Sequence, residues 1–327
     1  MTDPSGPDPS LVSVVAIGRN EGARLVACLA SLTDQVDTVV YVDSGSTDQS
    51  VDHARAAGVE VVLLDMTQPF TAARARNAGY ARLRELDPHG AYVQFIDGDC
   101  ELDAAWLAAG TAVLDKAADV AVVCGRRRER YPEATFWNGL IDAEWDGAVG
   151  EVLDCGGDAL MRRAALDAMG GYDPRLIAGE EPELCYRMRH AGWRIFRLDA
   201  EMTRHDAAMT RFSQWWRRAR RGGHAYAEGV ALYGKTPERY RVRNLASALF
   251  WGLTLPLAVV LSAIFLSPWA LVLMLLWPLK IWRMTRRGMP TARAAMILLG
   301  KCAETAGILG YWSSRLFQRR MTLIEYK

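Results

Sequence analysis

The chain has little cysteine and almost no net charge. Six cysteines are scattered over 327 residues, at positions 28, 100, 124, 155, 185 and 302, and none forms a C-x-x-C pair. That spacing excludes a zinc knuckle and a thioredoxin-type redox motif. Thiols spread so widely in a chain of this length read as reduced and buried, in a cytosolic compartment. The formal net charge is +1, so overall charge gives no reason to expect a nucleic-acid partner. The first ten residues, MTDPSGPDPS, lack the basic start and the apolar stretch of a secretory leader. Residues 1–10 read as a disordered tail, and the domain after them is expected to face the cytoplasm. A last absence is local: no charged residue occurs between Leu245 and Leu279.

What is present falls into two regions. From Leu11 to about Cys124, short apolar runs alternate with helical patterns. LVSVVAI precedes a helix from about Glu21 to Leu32, and TVVYV one from about Asp48 to Ala57. VEVVLL precedes a helix from about Ala72 to Leu86, and AYVQFI one from about Asp103 to Ala117, before VAVVC. The runs are β-branched and apolar with little alternation, as in strands buried on both faces. This order predicts an α/β fold built on a parallel, doubly wound sheet. In such sheets ligands bind beyond the carboxyl ends of the strands.

Three carboxylates are expected at that edge. Asp43 ends the second strand, and Asp97 and Asp99 end the fourth in FIDGD. Two carboxylates one residue apart repel each other, and a bound cation relieves the repulsion. Oxygen donors of this kind suit Mg²⁺ or Mn²⁺, which then bridge to phosphate oxygens. An Asp-Gly-Asp turn exposed to solvent is the competing reading.

The ordered segments VVAIGRNEGARLVACLASL, VVYVDSGSTDQS, ARARNAG and FIDGD carry a family likeness. They are followed by CGGDALMRRAAL, GGYDP, GEEPELCYRMRHAGW and HDAAMTRF. Together they resemble family 2 of the glycosyltransferases, from about residue 11 to 230. The resemblance implies a GT-A fold, Rossmann-like with a mostly parallel central sheet, over residues 11–235. It implies a nucleotide-diphosphate-sugar donor, inversion at the anomeric carbon and a divalent cation, Mg²⁺ or Mn²⁺.

Carried over residue by residue, the likeness puts Asp43 on the nucleotide base, although Ser44 stands where many members have a second aspartate. Asp97 and Asp99 match the D-x-D pair, with Asp99 as the direct metal ligand and Asp97 on the ribose or the metal's shell. Arg74 and Arg76 match a basic position facing the diphosphate. Glu180 and Glu181 match the acidic pair that supplies the catalytic base, Glu181 replacing the usual aspartate. His205 falls where many GT-A enzymes carry a third metal ligand. Gly157 and Asp158 lie in a segment near the donor and acceptor sugars, where a glycine permits close backbone approach. Arg217 and Arg218 belong to Q-W-W-R-R, which departs from the Q-x-x-R-W motif of processive synthases; they are expected to neutralise diphosphate or lipid phosphate.

Each residue also has a plain structural reading. Asp43 suits a helix cap, and Arg74 and Arg76 a solvated helix face. The glutamates suit a helix first turn, where the dipole favours acid, and Glu183 forms an i,i+4 pair with Arg187.

The second region begins near Asn244. Its uncharged run exceeds the ~20 residues of one span and is interrupted at Ser267-Pro268. Arg239, Arg241 and Arg243 precede it, and Lys280, Arg283, Arg286 and Arg287 follow. Basic residues at both ends place both ends on the cytoplasmic side. The pattern predicts a transmembrane or re-entrant hairpin over 245–282. A third membrane or interfacial amphipathic helix is expected over 291–317. The expected activity is sugar transfer to a lipid-linked glycan or glycolipid, at the cytoplasmic face of a membrane whose lipids hold the C-terminal helices. A polyprenyl-phosphate sugar synthase and a non-catalytic nucleotide-sugar-binding scaffold are the alternatives.

Overall fold

The computed structural model describes residues 11–318, and residues 1–10, read above as a tail, lie outside that range. The chain divides into two compact units, one ending at Ala208 and the other beginning at Met209.

The first unit opens with β1 (Val12–Gly18), α1 (Ala23–Thr33), β2 (Val39–Asp43), α2 (Ser50–Ala56), β3 (Glu60–Leu63), α3 (Ala72–Leu86) and β4 (Tyr92–Asp97). β1 pairs in parallel with β2 on one side and β4 on the other, and β2 pairs in parallel with β3. Val14, Val15, Ala16, Val40, Val42, Phe95 and Ile96 are wholly buried, which is why these strands carry no polar face. α3 lies close on the sheet. A methyl group on Gly79 would come within 2.4 Å of Val15 and 2.8 Å of Val42, so only glycine fits there.

Past β4 the sheet becomes mixed. β5 (Cys100–Leu102), α4 (Trp106–Lys116), β6 (Val120–Glu129), α5 (Phe136–Trp145), β7 (Gly150–Val152), β8 (Ala159–Arg162), α6 (Arg163–Met169), α7 (Glu180–His190) and β9 (Arg194–His205) follow. The strand order is β3-β2-β1-β4-β8-β6-β9-β5, with β7 on β9. β8 enters antiparallel between β4 and β6. The doubly wound pattern therefore describes β1–β4, while VAVVC is separated from β4 by β8 and pairs with β9 on its other side. The sequence hides β8 because its four residues come just after Gly156, Gly157 and Asp158, too short a run to show a period. β6 also outruns its apolar stretch, carrying Arg126, Arg127, Arg128 and Glu129 to the far end of the sheet.

The second unit holds α8 (Phe212–Tyr233), α9 (Val242–Leu249), a π-helical turn (Phe250–Thr254), α10 (Leu255–Phe265), a 3₁₀ segment (Pro268–Leu275), α11 (Leu276–Thr285) and α12 (Thr291–Leu316). The division of the chain falls before α8, not after it at residue 235. Val242–Phe265 runs as one helix of 24 residues, long and apolar enough to cross a membrane. α12 packs along α8. A methyl group on Gly223 would meet the Glu304 carbonyl at 1.9 Å, so glycine permits that approach.

Candidate active site

β4 delivers Asp97 to the carboxyl edge of the sheet, and its side chain is about a third exposed. Both its oxygens are engaged: Arg76 Nη2 donates to Oδ1 at 3.0 Å, and Arg127 Nη2 to Oδ2 at 2.9 Å. Arg76 comes from α3 and is buried. Its Nη1 lies 3.2 Å from Glu180 and 2.9 Å from Glu181, in the first turn of α7. One guanidinium thus ties the D-x-D strand end to the acidic pair.

Glu181 is the more reachable of the two glutamates, with 13% of its side chain exposed against 3% for Glu180. Its pKa is pushed up to about 7, first by burial and then by Glu180, against the pull of Arg76. A carboxylate at that value can accept a proton near neutral pH. Glu183 makes the ordinary pair with Arg187 at 2.9 Å.

Gly157 closes the floor. A methyl group there would sit 2.7 Å from Arg76 Nη2 and 3.0 Å from Asp97 Oδ2, so any side chain would displace that pair. Gly156 meets nothing within 4 Å and carries no such constraint.

Asp99 and His205 meet one step further along. Two strand registers place His205: it stands opposite Cys100 across β5 and opposite Glu129 across β6. Its Nε2 lies 3.1 Å from Asp99 Oδ2, and its Nδ1 3.8 Å from Glu129 Oε2. Burial, then the charge of Arg127, lowers the His205 pKa, which favours the neutral imidazole that binds metals. Donor atoms of Asp99, Cys100 and His205 lie within 4.8 Å of one another. Oxygen and imidazole nitrogen suit Mg²⁺ or Mn²⁺; a thiol does not. Burial also lifts the Cys100 thiol well above its ordinary pKa, which keeps it protonated. Asp99 and His205 therefore fit a divalent cation, and Cys100 is a neighbour rather than a ligand. Asp97, expected beside them, is instead paired with two arginines.

Several expected donor-binding residues make contacts within the protein. Asp158 is fully buried as an internal brace, accepting from Thr203 Oγ1 at 2.7 Å and from the backbone N–H of Asp97 at 3.0 Å, with Arg127 Nε 3.1 Å away. It is too enclosed to meet a sugar hydroxyl. Arg74 donates to the carbonyls of Asp65, Gln68 and Pro69, so its guanidinium pins a loop instead of facing a diphosphate. Asp43 is buried, and its Oδ2 accepts from the N–H groups of Gly45 and Ser46 at 3.0 and 2.8 Å. It caps a turn, not helix α2, whose Ser50 N–H is bound by Asp48. Arg217 and Arg218 belong to α8 in the second unit.

Sequence reasoning missed Arg127. It is held by Asp97 and Asp158, donates to Cys100 Sγ at 2.9 Å, and stacks on Trp145 at 5.1 Å. Trp145 in turn meets His205 edge-on at 4.8 Å. The available signal was period two: Arg127 and Glu129 share one face of a strand that continues past VAVVC.

Mixed-sheet architecture, the Arg76-centred carboxylates and the Asp99–His205 pair describe a sugar-transferase type of domain. Residues 13–170 match glycosyl transferase family 2. Among curated proteins it is similar to the succinoglycan biosynthesis protein ExoA of Rhizobium meliloti (strain 1021), 30% identical over 195 residues, covering 55% of this chain and 58% of that protein. It is also similar to the glycosyltransferase AglE of Haloferax volcanii, 26% identical over 199 residues, covering 56% of this chain and 63% of that one. The chain thus spans about three fifths of the length of these relatives. Among solved structures, the mannosyltransferase PcManGT from Pyrobaculum calidifontis, in complex with GDP-Man and Mn²⁺, superposes with a TM-score of 0.62 at 22% identity, covering 94% of this chain and 90% of that chain. Glucosyl-3-phosphoglycerate synthase from Mycobacterium tuberculosis, in complex with phosphoglyceric acid, gives 0.50 at 20% identity, covering 67% and 79%. At these identities the two structures speak to the fold, which is GT-A-like.

Proposed function

We propose that this protein is an inverting glycosyltransferase. It takes a sugar from a nucleotide-diphosphate-sugar and passes it to a hydroxyl of a lipid-linked glycan or glycolipid, at the cytoplasmic face of a membrane in which its second unit is seated. The observation that carries this reading is Glu181, partly exposed, with its pKa near 7, and held by Arg76 beside the D-x-D strand end.

Glu181 takes the proton of the acceptor hydroxyl as its oxygen attacks the anomeric carbon. Glu180 raises the basicity of Glu181, and Arg76 holds the carboxylate oriented. Asp99 and His205 would hold Mg²⁺ or Mn²⁺, which would supply positive charge to offset that building on the leaving diphosphate. PcManGT, whose complex contains GDP-Man and Mn²⁺, supports a nucleotide-sugar donor and a manganese-type cofactor. ExoA supports a role in polysaccharide assembly. A polyprenyl-phosphate sugar synthase would use a phosphate acceptor already ionised at neutral pH, and would gain little from a base tuned to about 7. That tuning favours a hydroxyl.

Calorimetry of the full chain in detergent tests the reading, with UDP, GDP, dTDP and CMP, with and without Mn²⁺. One nucleotide should bind only with metal, and Asp99→Asn should abolish that binding. Folded protein that binds none of them with metal present would overturn the reading.

A further inference from the structure

The second unit exposes a continuous apolar surface around residues 255–275. Phe265, Leu266 and Trp269, at the turn between α10 and the 3₁₀ segment, are 76%, 83% and 82% exposed. A soluble surface rarely tolerates such a patch, and no charge interrupts it between Arg243 and Lys280. The occupant that fits an uncharged apolar hairpin flanked by arginine and lysine at both ends is a phospholipid bilayer.

How deep the hairpin reaches can be measured from its own packing. α10 packs on the 3₁₀ segment, whereas α9, the π-helical turn and α11 pack on α12. The hairpin therefore has a base held by α12 and a tip beyond it. Three contacts fix where charge stops. Lys280 Nζ sits 5.7 Å over the ring of Trp251. A methyl group on Gly252 would be 2.3 Å from the carbonyl of Lys301, which forms an ion pair with Glu304 at 2.7 Å. Thr305 Oγ1 donates to the carbonyl of Ala248 at 2.9 Å. The first two put charged groups level with residues 251–252, and the third puts a polar hydroxyl level with residue 248.

From Trp251 to Leu266 the first limb rises about 22 Å, at ~1.5 Å per residue. The second limb is built differently, yet from Pro268 to Lys280 it covers about 23 Å, mixing 3₁₀ and α rises. Two limbs of unlike helix type agree on one depth. That depth falls short of the ~30 Å hydrocarbon core. A charged pair such as Lys301–Glu304 is costly inside that core, which keeps the base at the surface.

We infer that Val242–Thr285 is a re-entrant hairpin that enters the bilayer from one face and ends inside it, so that Leu266 does not reach the opposite water. This rests on the reading above that the second unit is seated in a membrane. It makes the protein a one-sided, monotopic resident, with α8 and α12 on the entry surface.

Cysteine accessibility in the full chain tests this. Lys235→Cys and Leu266→Cys are made separately and probed with a membrane-impermeant maleimide in sealed vesicles of both orientations, against the unsubstituted chain as background. Each Leu266→Cys preparation is then labelled with bimane in detergent and reconstituted. The inference expects Lys235→Cys to label from one face only, and Leu266→Cys from neither. Bimane at residue 266 should be quenched by lipids brominated in mid-chain and not by aqueous iodide. Labelling of Leu266→Cys from the face opposite Lys235→Cys would overturn one-sided insertion while leaving the membrane seat intact. Labelling from the same face as Lys235→Cys, with iodide quenching and release by alkaline carbonate, would overturn both.

Discussion

At the scale of single residues, Arg76 organises the site. A guanidinium presents several donors in a fixed plane, and here they reach Asp97, Glu180 and Glu181 together. Its positive charge is what keeps Glu181 from rising further, since burial and Glu180 both push that carboxyl up. A hydroxyl acceptor needs Glu181 ionised, so activity should climb as pH rises through about 7. Arg76→Lys keeps one charge but loses the fork. The acidic limb of kcat/KM should then move to higher pH and the maximal rate should fall, measured as a pH–rate profile. A rise in donor KM alone, with the limb unmoved, would return Arg76 to the diphosphate-facing role that its position in ARARNAG first implied. Residue chemistry of this kind was partly legible in the sequence. The acidic pair and the D-x-D pair stand in the motifs as quoted. The inward turn of Asp158 and the loop contacts of Arg74 were not legible, because side-chain direction depends on neighbours 45 and fewer than ten residues away, respectively.

At the scale of elements, β6 and β9 do what no motif announces. β9 brings His205 in from more than a hundred residues beyond Asp99 by pairing with β5 and, past the register shifts in its pairing with β6, with Glu129. A slip of one residue would turn the imidazole to the other face. β6 supplies Arg127 the same way. The four strands β1–β4 could be read from their apolar runs because each is bounded by a clear helical pattern. β8 could not, since four residues after two glycines are too few to show a period. Arg127 is nearly buried between Asp97 and Asp158. Arg127→Leu removes the counter-charge and leaves Asp158 enclosed, so unfolding free energy should drop by roughly 3–5 kcal/mol. Chemical denaturation of the detergent-solubilised chain measures this. An unchanged midpoint would mean that Asp158 is braced by Thr203 and the backbone alone.

At the scale of the whole molecule, the chain joins a domain that matches glycosyl transferase family 2 to a helical unit with a long uncharged stretch. The helical part was set off in the sequence by the absence of charge from 245–279, and the first part by its ordered motifs. Where the first unit ends was harder to see. QWWRR reads as a continuation of the preceding motifs, but α8 packs with α12 and so belongs to the second unit. That pairing depends on Gly223 of α8 and Gly307 of α12, where the backbones touch, and a glycine within a helix gives no sign of its partner. Glu181 remains the centre of the functional account, and the most direct measurement compares Glu181→Gln with the unsubstituted protein for both nucleotide binding and sugar transfer. The account predicts that Glu181→Gln binds nucleotide with metal as tightly as the original chain but transfers sugar about 10²–10⁴-fold more slowly. Transfer at the original rate, with binding intact, would contradict it and leave the acceptor without its base.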